Sequence, residues 1–417
     1  MTSRAVNAGL GAGYIAASAV APLILKTTPS DLDLYFWPSA RALAAGHPLL
    51  IYSTHLHSLY PNANGPLGLV PLVPIAKLAA GLGWAGGLGS RAALVDAVIS
   101  LFVLLLAYQT ARLVAGAGGT APDLIVVGCV LLAPAVWFGV LDYGHVEQPL
   151  ELCCVLLAIA WFVRRRNALT GIALGAAVLT RTIAGFCAIP LVLIPLTTHR
   201  FRASITIALA ALVTIGAVIG PFLIADQPAV MHSLLTYRGS LPIGGGSFWI
   251  IARQASWAGL VKGGDIYIGG AVAAALAAFT SLRRPSAVTT QAGITGLLMV
   301  ASCCVPLFSK TVFPYYLLEP YVLALLWWLG RAGTALNWRG IVPLLLTVDV
   351  FIVKAASAAP FTAAGAVESV VSSIVIASTI ALVTLDLVRT DTNVAWTSDQ
   401  PVHPLPRGAP MVGEVSG

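Results

Sequence analysis

The sequence contains little charge for its length. Only 9% of the 417 residues are Asp, Glu, Lys or Arg, whereas 58% are hydrophobic. Soluble domains carry close to a quarter of charged residues. This shortage excludes an ordinary water-soluble domain.

Long apolar runs are abundant instead. Runs of close to 20 residues recur along the whole chain, which is the length that an α-helix needs to cross a bilayer. The sequence therefore predicts an all-α polytopic membrane protein. The net charge of +7 does not indicate nucleic-acid binding, because basic residues in such a protein first serve its topology.

Cysteine patterns for disulfides or zinc are also missing. Both adjacent pairs, Cys153–Cys154 and Cys303–Cys304, lie inside apolar runs, as do Cys129 and Cys187, which favours a packing role. His145-x-Glu147 has the spacing of half a deaminase zinc motif, but no P-C-x-x-C follows. No Walker or dinucleotide motif is present. We therefore predict no metal site and no certain cofactor.

About twelve transmembrane spans are expected. They are roughly 8–25, 92–115, 122–141, 146–163, 168–181, 183–197, 204–225, 266–282, 287–307, 315–330, 340–358 and 367–388. The first run follows a single arginine and lacks a small-x-small cleavage site, so it is read as a retained helix. The prolines of 66–84 favour a broken or interfacial helix over a further span.

Basic clusters set the expected orientation. They are Arg164–Arg166, His199–Arg202, Arg283–Arg284, Arg331 with Arg339, and Arg389. If 66–84 does not cross, the positive-inside rule places all of them, and both termini, in the cytoplasm. The predicted organisation is a transmembrane domain over 1–388, with external loops 26–91 and 226–265, and a cytoplasmic, disordered tail over 389–417. We expect a bacterial plasma membrane.

Two aspartates follow the first apolar run in the segment PSDLDLYFWPS. Asp31 and Asp33 could simply favour the start of a helix, for which Ser30 could be the cap. Alternatively, one carboxylate is a general base, and the other orients it or holds a divalent cation. We lean towards Asp33 as the base, because Asp31 fits the capping position better.

A second acidic segment is DYGHVEQPLE. Asp142, His145 and Glu147 lie within six residues at a predicted helix start, and Glu151 follows Glu147 by four residues on the same face. The segment could be a polar turn between helices. Carboxylates that enter a membrane span are nevertheless expected to be functional, so we predict that the first three bind an acceptor or sugar.

The remaining candidates are basic. Arg181 and Lys310 lie at predicted external boundaries, where they could snorkel or could bind a phosphate. Arg238 and Arg253 flank a glycine-rich turn that could be a hinge or could meet an anion. We predict phosphate contacts for Arg181, Lys310 and Arg253, and an acceptor contact for Arg238.

Several segments in this order resemble the GT-C superfamily of integral-membrane glycosyltransferases. DLDLYFWPSARALAAGHPLLIYS is similar to their D-x-x-x-aromatic … A-R-x-x-x-x-G-x-P-x-x-Y segment, and GHVEQPLELCC to their G-x-x-E helix. FPYYLLEPYVLALLW resembles another of their segments. The nearest resemblance is to bacterial polyprenyl-phosphomannose-dependent α-mannosyltransferases and to the catalytic subunit of GPI mannosyltransferase I. Arg181 replaces a usual lysine, and Tyr60-Pro61-Asn62 departs from Tyr-Pro-Pro.

The resemblance implies a GT-C-like fold and an external active site. It implies that a sugar, mannose first, passes from a polyprenyl-phosphate donor to a glycolipid or glycan hydroxyl with inversion. Asp31 or Asp33 would be the base, and Arg181 and Lys310 would stabilise the leaving phosphate. One alternative is a lipid or oligosaccharide transporter or flippase, which the charged residues Asp96, Asp349 and Lys354 inside spans would support. Another alternative is a non-catalytic assembly protein.

Overall fold

The computed structural model is helical throughout the residues that it describes. These residues are 3–25, 31–56, 60–81, 88–117, 122–254, 264–330 and 337–389. The predicted tail lies outside them from residue 390 onward. Over these ranges the secondary structure consists of α, 3₁₀ and π segments, which agrees with the predicted all-α class.

Twelve helices form the body of the part of the chain that the structure describes. In chain order they are α1 (Ser3–Leu25), α2 (Leu88–Gly116), α3 (Asp123–Leu131), α4 (Glu147–Val163), α5 (Asn167–Thr180), α6 (Gly185–Thr197), α7 (Phe201–Met231), α8 (Asp265–Arg283), α9 (Gln291–Phe308), α10 (Leu318–Leu329), α11 (Ile341–Ala358) and α12 (Ala363–Arg389).

Each predicted span coincides with one of these helices. Seven helical stretches among the described residues are long and apolar enough to cross a membrane: α2, α3 with its continuation to Leu141, α7 with its continuation to Thr236, α8, α9, α11 with the turn before it, and α12. The chain is therefore a multi-pass membrane protein. The full count of twelve crossings stays a prediction, because helices such as α5 and α6 are shorter.

Short helical pieces occupy the first predicted loop. They are Leu32–Phe36 (π), Trp37–Ala44 (α), Pro48–Leu50 (3₁₀), Pro66–Leu69 (α), Val70–Leu72 (3₁₀) and Val73–Gly81 (α). The last three replace what could have been one span. Pro66, Pro71 and Pro74 explain the interruptions, because a proline ring fixes φ and removes a backbone donor.

The second predicted loop begins later than expected. The helical backbone is interrupted by a kink at Asp226, whose φ is −155°, and restarts after it, where Asp226 accepts a hydrogen bond from the Ala229 backbone N–H at 3.1 Å. A π segment (His232–Thr236) and short helices Tyr237–Ser240 and Ile250–Gln254 follow. Further short segments are Val136–Leu141 (π) and, as 3₁₀ turns, Thr182–Ala184, Ala287–Thr289, Pro314–Leu317 and Trp338–Gly340.

Helix α9 lies at the centre of the bundle. Its most apolar window is 83% buried, and it contacts α4, α6, α8, α10 and α12. Small residues allow other helices to pack closely. A Cβ added to Gly171 on α5 would lie 2.3 Å from the Ile207 carbonyl oxygen of α7, and one added to Gly175 would lie 2.7 Å from Thr214. This is the small-xxx-small packing of membrane helices.

Polar contacts tie the helices together at one end of the bundle, here called the basic end. Arg339 donates to Asp386 at 2.7 Å, Arg284 donates to the Val388 carbonyl at 2.9 Å, and Gln291 donates to the Leu113 carbonyl at 2.7 Å. The chain order of the helices places the other basic clusters at this end too. The opposite end, about 27 Å away along the 18 residues of α11, carries the candidate site.

Candidate functional site

Separate chain segments meet at the end opposite the basic end. The hydroxyls of Tyr35 and Tyr237 lie 3.1 Å apart, which joins the first predicted external loop to the second. The Gly244 N–H donates to the Lys310 carbonyl at 2.9 Å, and Ser357 donates to the Val312 carbonyl at 3.1 Å. The loops that the topology assigned to one face are thus in contact.

Asp31 belongs to the centre of this region. Its Oδ2 lies 3.0 Å from Nε2 of His145, and Nδ1 of His145 forms a hydrogen bond with Oε1 of Glu147. Asp31 immediately precedes the π segment, and its side chain makes no helix-capping hydrogen bond. Ser30, the cap that the sequence suggested, lies outside the described residues. Three of the predicted site residues, Asp31, His145 and Glu147, form one connected group.

The His145 ring is enclosed on its faces and edges. Its centroid lies 3.8 Å from that of Tyr315 and 5.2 Å from that of Phe36. Burial alone would lower the pKa of His145, but the carboxylates of Glu147 and Asp31 outweigh it and raise that pKa above its ordinary value. The ring is therefore held in one position between two carboxylates.

Asp33 has a different environment. It accepts a hydrogen bond from Arg91 of α2 at 2.6 Å, and the Arg91 guanidinium lies 4.8 Å from the Trp37 ring centroid. About a third of the Asp33 side chain is exposed (36%), compared with 14% for Asp31. The two aspartates therefore contact different partners, although they are only two positions apart in the sequence.

Arg181 lies beneath the tyrosines of the site. Its side chain is 2% exposed, it lies 3.6 Å from Oε2 of Glu151, and its guanidinium faces the rings of Tyr315 and Tyr316 at 5.5 and 5.2 Å. Neither oxygen of Glu151 accepts a hydrogen bond from a described residue. Arg181 thus compensates buried negative charge, and the structure does not present it openly to a ligand.

Glu319 adds a further carboxylate to this buried group. It is 3% exposed and accepts a hydrogen bond from the Cys187 thiol at 2.9 Å. Together with Glu147 and Glu151 it makes three buried glutamates around one arginine. A buried charge must be paired or neutralised, so this group has little tolerance for the loss of Arg181.

Glycines allow the backbone to approach the acidic residues. A Cβ on Gly68 would lie 2.7 Å from the Thr180 carbonyl oxygen and 2.8 Å from Cβ of Glu147. A Cβ on Gly139 would lie 2.7 Å from the backbone of Tyr315. The broken helix after Pro66 is therefore packed against α4 and the end of α5, directly under the site.

A cavity of about 460 Å³ lies beside the tyrosines. Its wall is mostly apolar, and Tyr316, Lys310 and Asp265 contribute to it. Asp265 accepts a hydrogen bond from the Lys310 backbone N–H at 3.1 Å. Side chains from the starts of α6 and α8, from the end of α9 and from the stretch 234–241 also line it. Such a cavity suits an apolar chain that ends in an anionic group.

Asp142 and Arg253 contact partners outside the Asp31 group. Asp142 forms an ion pair with Lys354 of α11, whose ammonium lies 4.9 Å from the Tyr143 ring. Arg253 lies 4.1 Å from the Phe361 ring and donates to the Ile243 carbonyl at 3.4 Å. Arg238 belongs to the short helix Tyr237–Ser240, and its side chain lies outside the described part of the structure.

Arg91, Glu319 and Lys354 are contacts that the sequence did not indicate. Arg91 lies just before the predicted span 92–115, and Lys354 was considered only as a charge inside a span, so neither position indicated its carboxylate partner. Glu319 did appear in an unusual position, a carboxylate inside an apolar aromatic segment, and that signal could have identified it. Its partners come from α6 and α4, which sequence proximity does not reveal.

Metal ligation has no geometric basis in the described residues. No group of three or more His, Cys, Asp or Glu side chains there is arranged to hold an ion. Asp31 and Asp33 contact His145 and Arg91 instead of a common centre. Comparison with protein-family models gives no match to the chain, and comparison with curated proteins gives none either.

Proposed function

We propose that the protein is a membrane glycosyltransferase that uses a polyprenyl-phosphate-linked sugar. The observation that carries the proposal is the placement of Asp31. This carboxylate from the first loop is held against His145, and the same aromatic group reaches, through Tyr315 and Tyr316, a cavity lined by Lys310. The sequence resemblance to GT-C enzymes supports the same activity.

In the proposed reaction, an acceptor hydroxyl oxygen attacks the anomeric carbon of the sugar. Asp31 takes the hydroxyl proton as general base. The bond between the anomeric carbon and the phosphate oxygen breaks, its electron pair stays with the phosphate, and the configuration inverts. The products are the glycosylated acceptor, the polyprenyl phosphate and protonated Asp31.

Lys310 is the preferred partner of the leaving phosphate in this proposal. It lines the cavity, where its ammonium would stabilise the charge that develops on the carrier. Arg181 is assigned instead to the charge balance of the three glutamates, because it is buried against Glu151. Arg253 is assigned a structural role, which is to stabilise the conformation of its loop. The carrier chain would occupy the apolar part of the cavity.

We further propose that mannose is the sugar, that the acceptor is a glycolipid or glycan, and that the site faces the exterior of a bacterial plasma membrane. The positive-inside rule supports this orientation, because the basic clusters lie at the other end. Twelve crossings and a GT-C-like fold belong to the same proposal.

The assay is transfer of radiolabelled mannose from polyprenyl phosphomannose in proteoliposomes, with cell-envelope glycolipids as acceptors. Asp31→Asn is expected to lower the rate by about 10³-fold, within the range of a lost general base. Asp33→Asn is expected to lower it less than about tenfold, because Arg91 already pairs with Asp33 and an exposed pair contributes little. Lys310→Gln is expected to cost about 10²-fold.

The outcomes separate the assignments. Full transfer by Asp31→Asn with loss in Asp33→Asn would reverse the choice of base. Product that retains the anomeric configuration would remove the single-displacement mechanism. If no polyprenyl-phospho-sugar is used in a screen of several sugars, the glycosyltransferase proposal fails.

A transporter or flippase is the second candidate. Asp96 and Asp349 favour it, because both are buried within helices, at 3% and 0% exposure, and both have carboxylate oxygens without a hydrogen-bond partner among the described residues. Movement of a labelled polyprenyl-phospho-sugar between leaflets, without any transfer, would support this function over catalysis.

A further inference from the structure

The His145 ring has a carboxylate at each nitrogen. Nε2 lies 3.0 Å from Oδ2 of Asp31, and Nδ1 is hydrogen-bonded to Oε1 of Glu147. A neutral imidazole has one donor nitrogen and one acceptor nitrogen. It would therefore turn a lone pair towards one of the two carboxylates. Only the doubly protonated imidazolium donates to both.

We infer that His145 is a positively charged positioning residue, which Glu147 anchors and which in turn fixes the carboxylate of Asp31. This role rests on the proposed function in one respect, since it assigns a purpose to the orientation of Asp31. His145 itself acts through Asp31 and does not touch the reacting atoms. The role replaces the acceptor contact that the sequence suggested for His145 and Glu147.

Packing around the ring supports a fixed orientation. Tyr315 lies against the ring at 3.8 Å and Phe36 meets its edge at 5.2 Å, so rotation about the Cβ–Cγ bond would collide with one of them. Tyr315 is itself tied to α4, because its carbonyl accepts a hydrogen bond from Gln148. A base that is aligned before the substrate arrives avoids an entropic cost during the reaction.

Glu147 is the rigid end of the arrangement. Side-chain exposure falls from 14% at Asp31 to 6% at His145 and 2% at Glu147. Glu147 starts α4, and Gly68 packs against its Cβ. The order of burial gives the arrangement a direction: Glu147 holds the ring from the interior, and the ring holds the carboxylate that lies nearest to solvent.

The direction of the pH response follows from these neighbours. The groups that face the ring are the carboxylates of Asp31 and Glu147 and the phenols of Tyr143 and Tyr315. The positive charge of Arg181 also interacts with the carboxylate of Glu147. Burial and the nearby acids raise the pKa of Tyr143 to about 12, so this phenol stays neutral below that range. As pH rises, the ring therefore loses its proton first and releases one of the two carboxylates.

The first test is ¹⁵N NMR of histidine-labelled full-length protein in nanodiscs, with His145→Gln used to assign the ring signals. Both ring nitrogens of His145 are expected to remain protonated at pH 7.5. Glu147→Gln should shift the titration midpoint downward by about one pH unit or more. A single-tautomer neutral ring at pH 6, or a midpoint unchanged in Glu147→Gln, would overturn the inference.

The second test is the pH profile of sugar transfer. Glu147→Gln keeps the shape of the side chain but not its charge, so we expect kcat to fall 10- to 100-fold with little change in donor KM, and activity to decline from a lower pH. Glu147→Asp should restore part of kcat. A purely structural role would lower the amount of folded protein without moving the profile. His55→Asn, an exposed histidine of the first loop, is the matched control.

The two tests also separate this inference from the proposed function. NMR requires no transfer, so a charged His145 can be established even if the donor proves wrong. Conversely, transfer that depends on Asp31 but is indifferent to Glu147 at every pH would leave the glycosyltransferase proposal intact and overturn the positioning role alone.

Discussion

The two ends of the bundle each contain an arginine–carboxylate pair, and the two pairs differ in their hydrogen bonding and in their exposure to solvent. At the basic end, Arg339 donates to both oxygens of Asp386, at 3.3 and 2.7 Å, and its side chain is 19% exposed. At the site end, Arg181 lies 3.6 Å from Glu151, is almost completely buried, and leaves both carboxylate oxygens without a hydrogen bond from a described residue.

The two pairs differ in how completely their hydrogen-bonding groups are satisfied. The Arg339 pair joins α11 to α12 and satisfies its hydrogen-bonding groups locally. In the Arg181 group, three glutamates from two helices lie around Arg181. Burial of these groups carries a desolvation cost that their contacts do not fully offset. Incompletely satisfied buried charge is expected where a protein keeps a polar site for chemistry.

The largest expected contrast is between the two arginines. Arg181→Met should lower the free energy of unfolding by about 3–5 kcal/mol, because the buried Glu151 and Glu319 lose their neighbouring positive charge. Arg339→Met should cost less, about 1–2 kcal/mol, since the Arg339 side chain is 19% exposed, although Asp386 is only 4% exposed. Unfolding in mixed micelles measures both. Equal losses at the two ends would contradict the distinction.

A smaller contrast is expected between two glycines. Gly68→Ala should destabilise by about 1–3 kcal/mol, because its Cβ would meet the Thr180 carbonyl and Cβ of Glu147. Gly128→Ala, inside α3 with nothing within 4 Å of its Cβ, should be neutral or stabilising by up to about 1 kcal/mol. Thermal unfolding in detergent measures the pair, and a tolerated Gly68→Ala would show that the broken helix can move away from α4.

The pH dependence of stability should reveal the contribution of His145 at the site end of the bundle. Because the folded-state pKa of His145 is raised above the ordinary value of about 6.5, its stabilising contribution is fully present below that value. It is lost as pH rises through the raised pKa. The difference in melting temperature between wild type and His145→Gln should therefore be largest near pH 6 and shrink at alkaline pH. A difference that grows with pH would reverse the sign of this argument.

The orientation of the two ends can be measured with little disturbance. Thr54 is exposed in the first loop, and Ala168 is exposed at the start of α5 near the basic end. In a cysteine-free background, Thr54→Cys is expected to react with an impermeant maleimide from outside, and Ala168→Cys only after permeabilisation. Labelling of both from one side would refute the topology.

Much of the architecture was predictable from the pattern of apolar runs. Each predicted span coincides with a helix, and the prolines of 66–84 correctly indicated a broken segment. The extent of α7 was not predictable, because it depends on Asp226 capping a helix that restarts after a kink. The site was only partly predictable: its residue types stood out as charges in an apolar chain, but their pairing did not.

The sequence by itself determined the membrane class, the helices and the end at which the basic clusters gather. Those properties depend on local composition and on the transfer of apolar groups into a bilayer, which each segment carries alone. Only the tertiary structure decided that Asp31 contacts His145 while Asp33, two residues later, contacts Arg91. The physical reason is that these contacts join residues more than fifty positions apart, and side-chain contacts of that kind depend on how the helices pack.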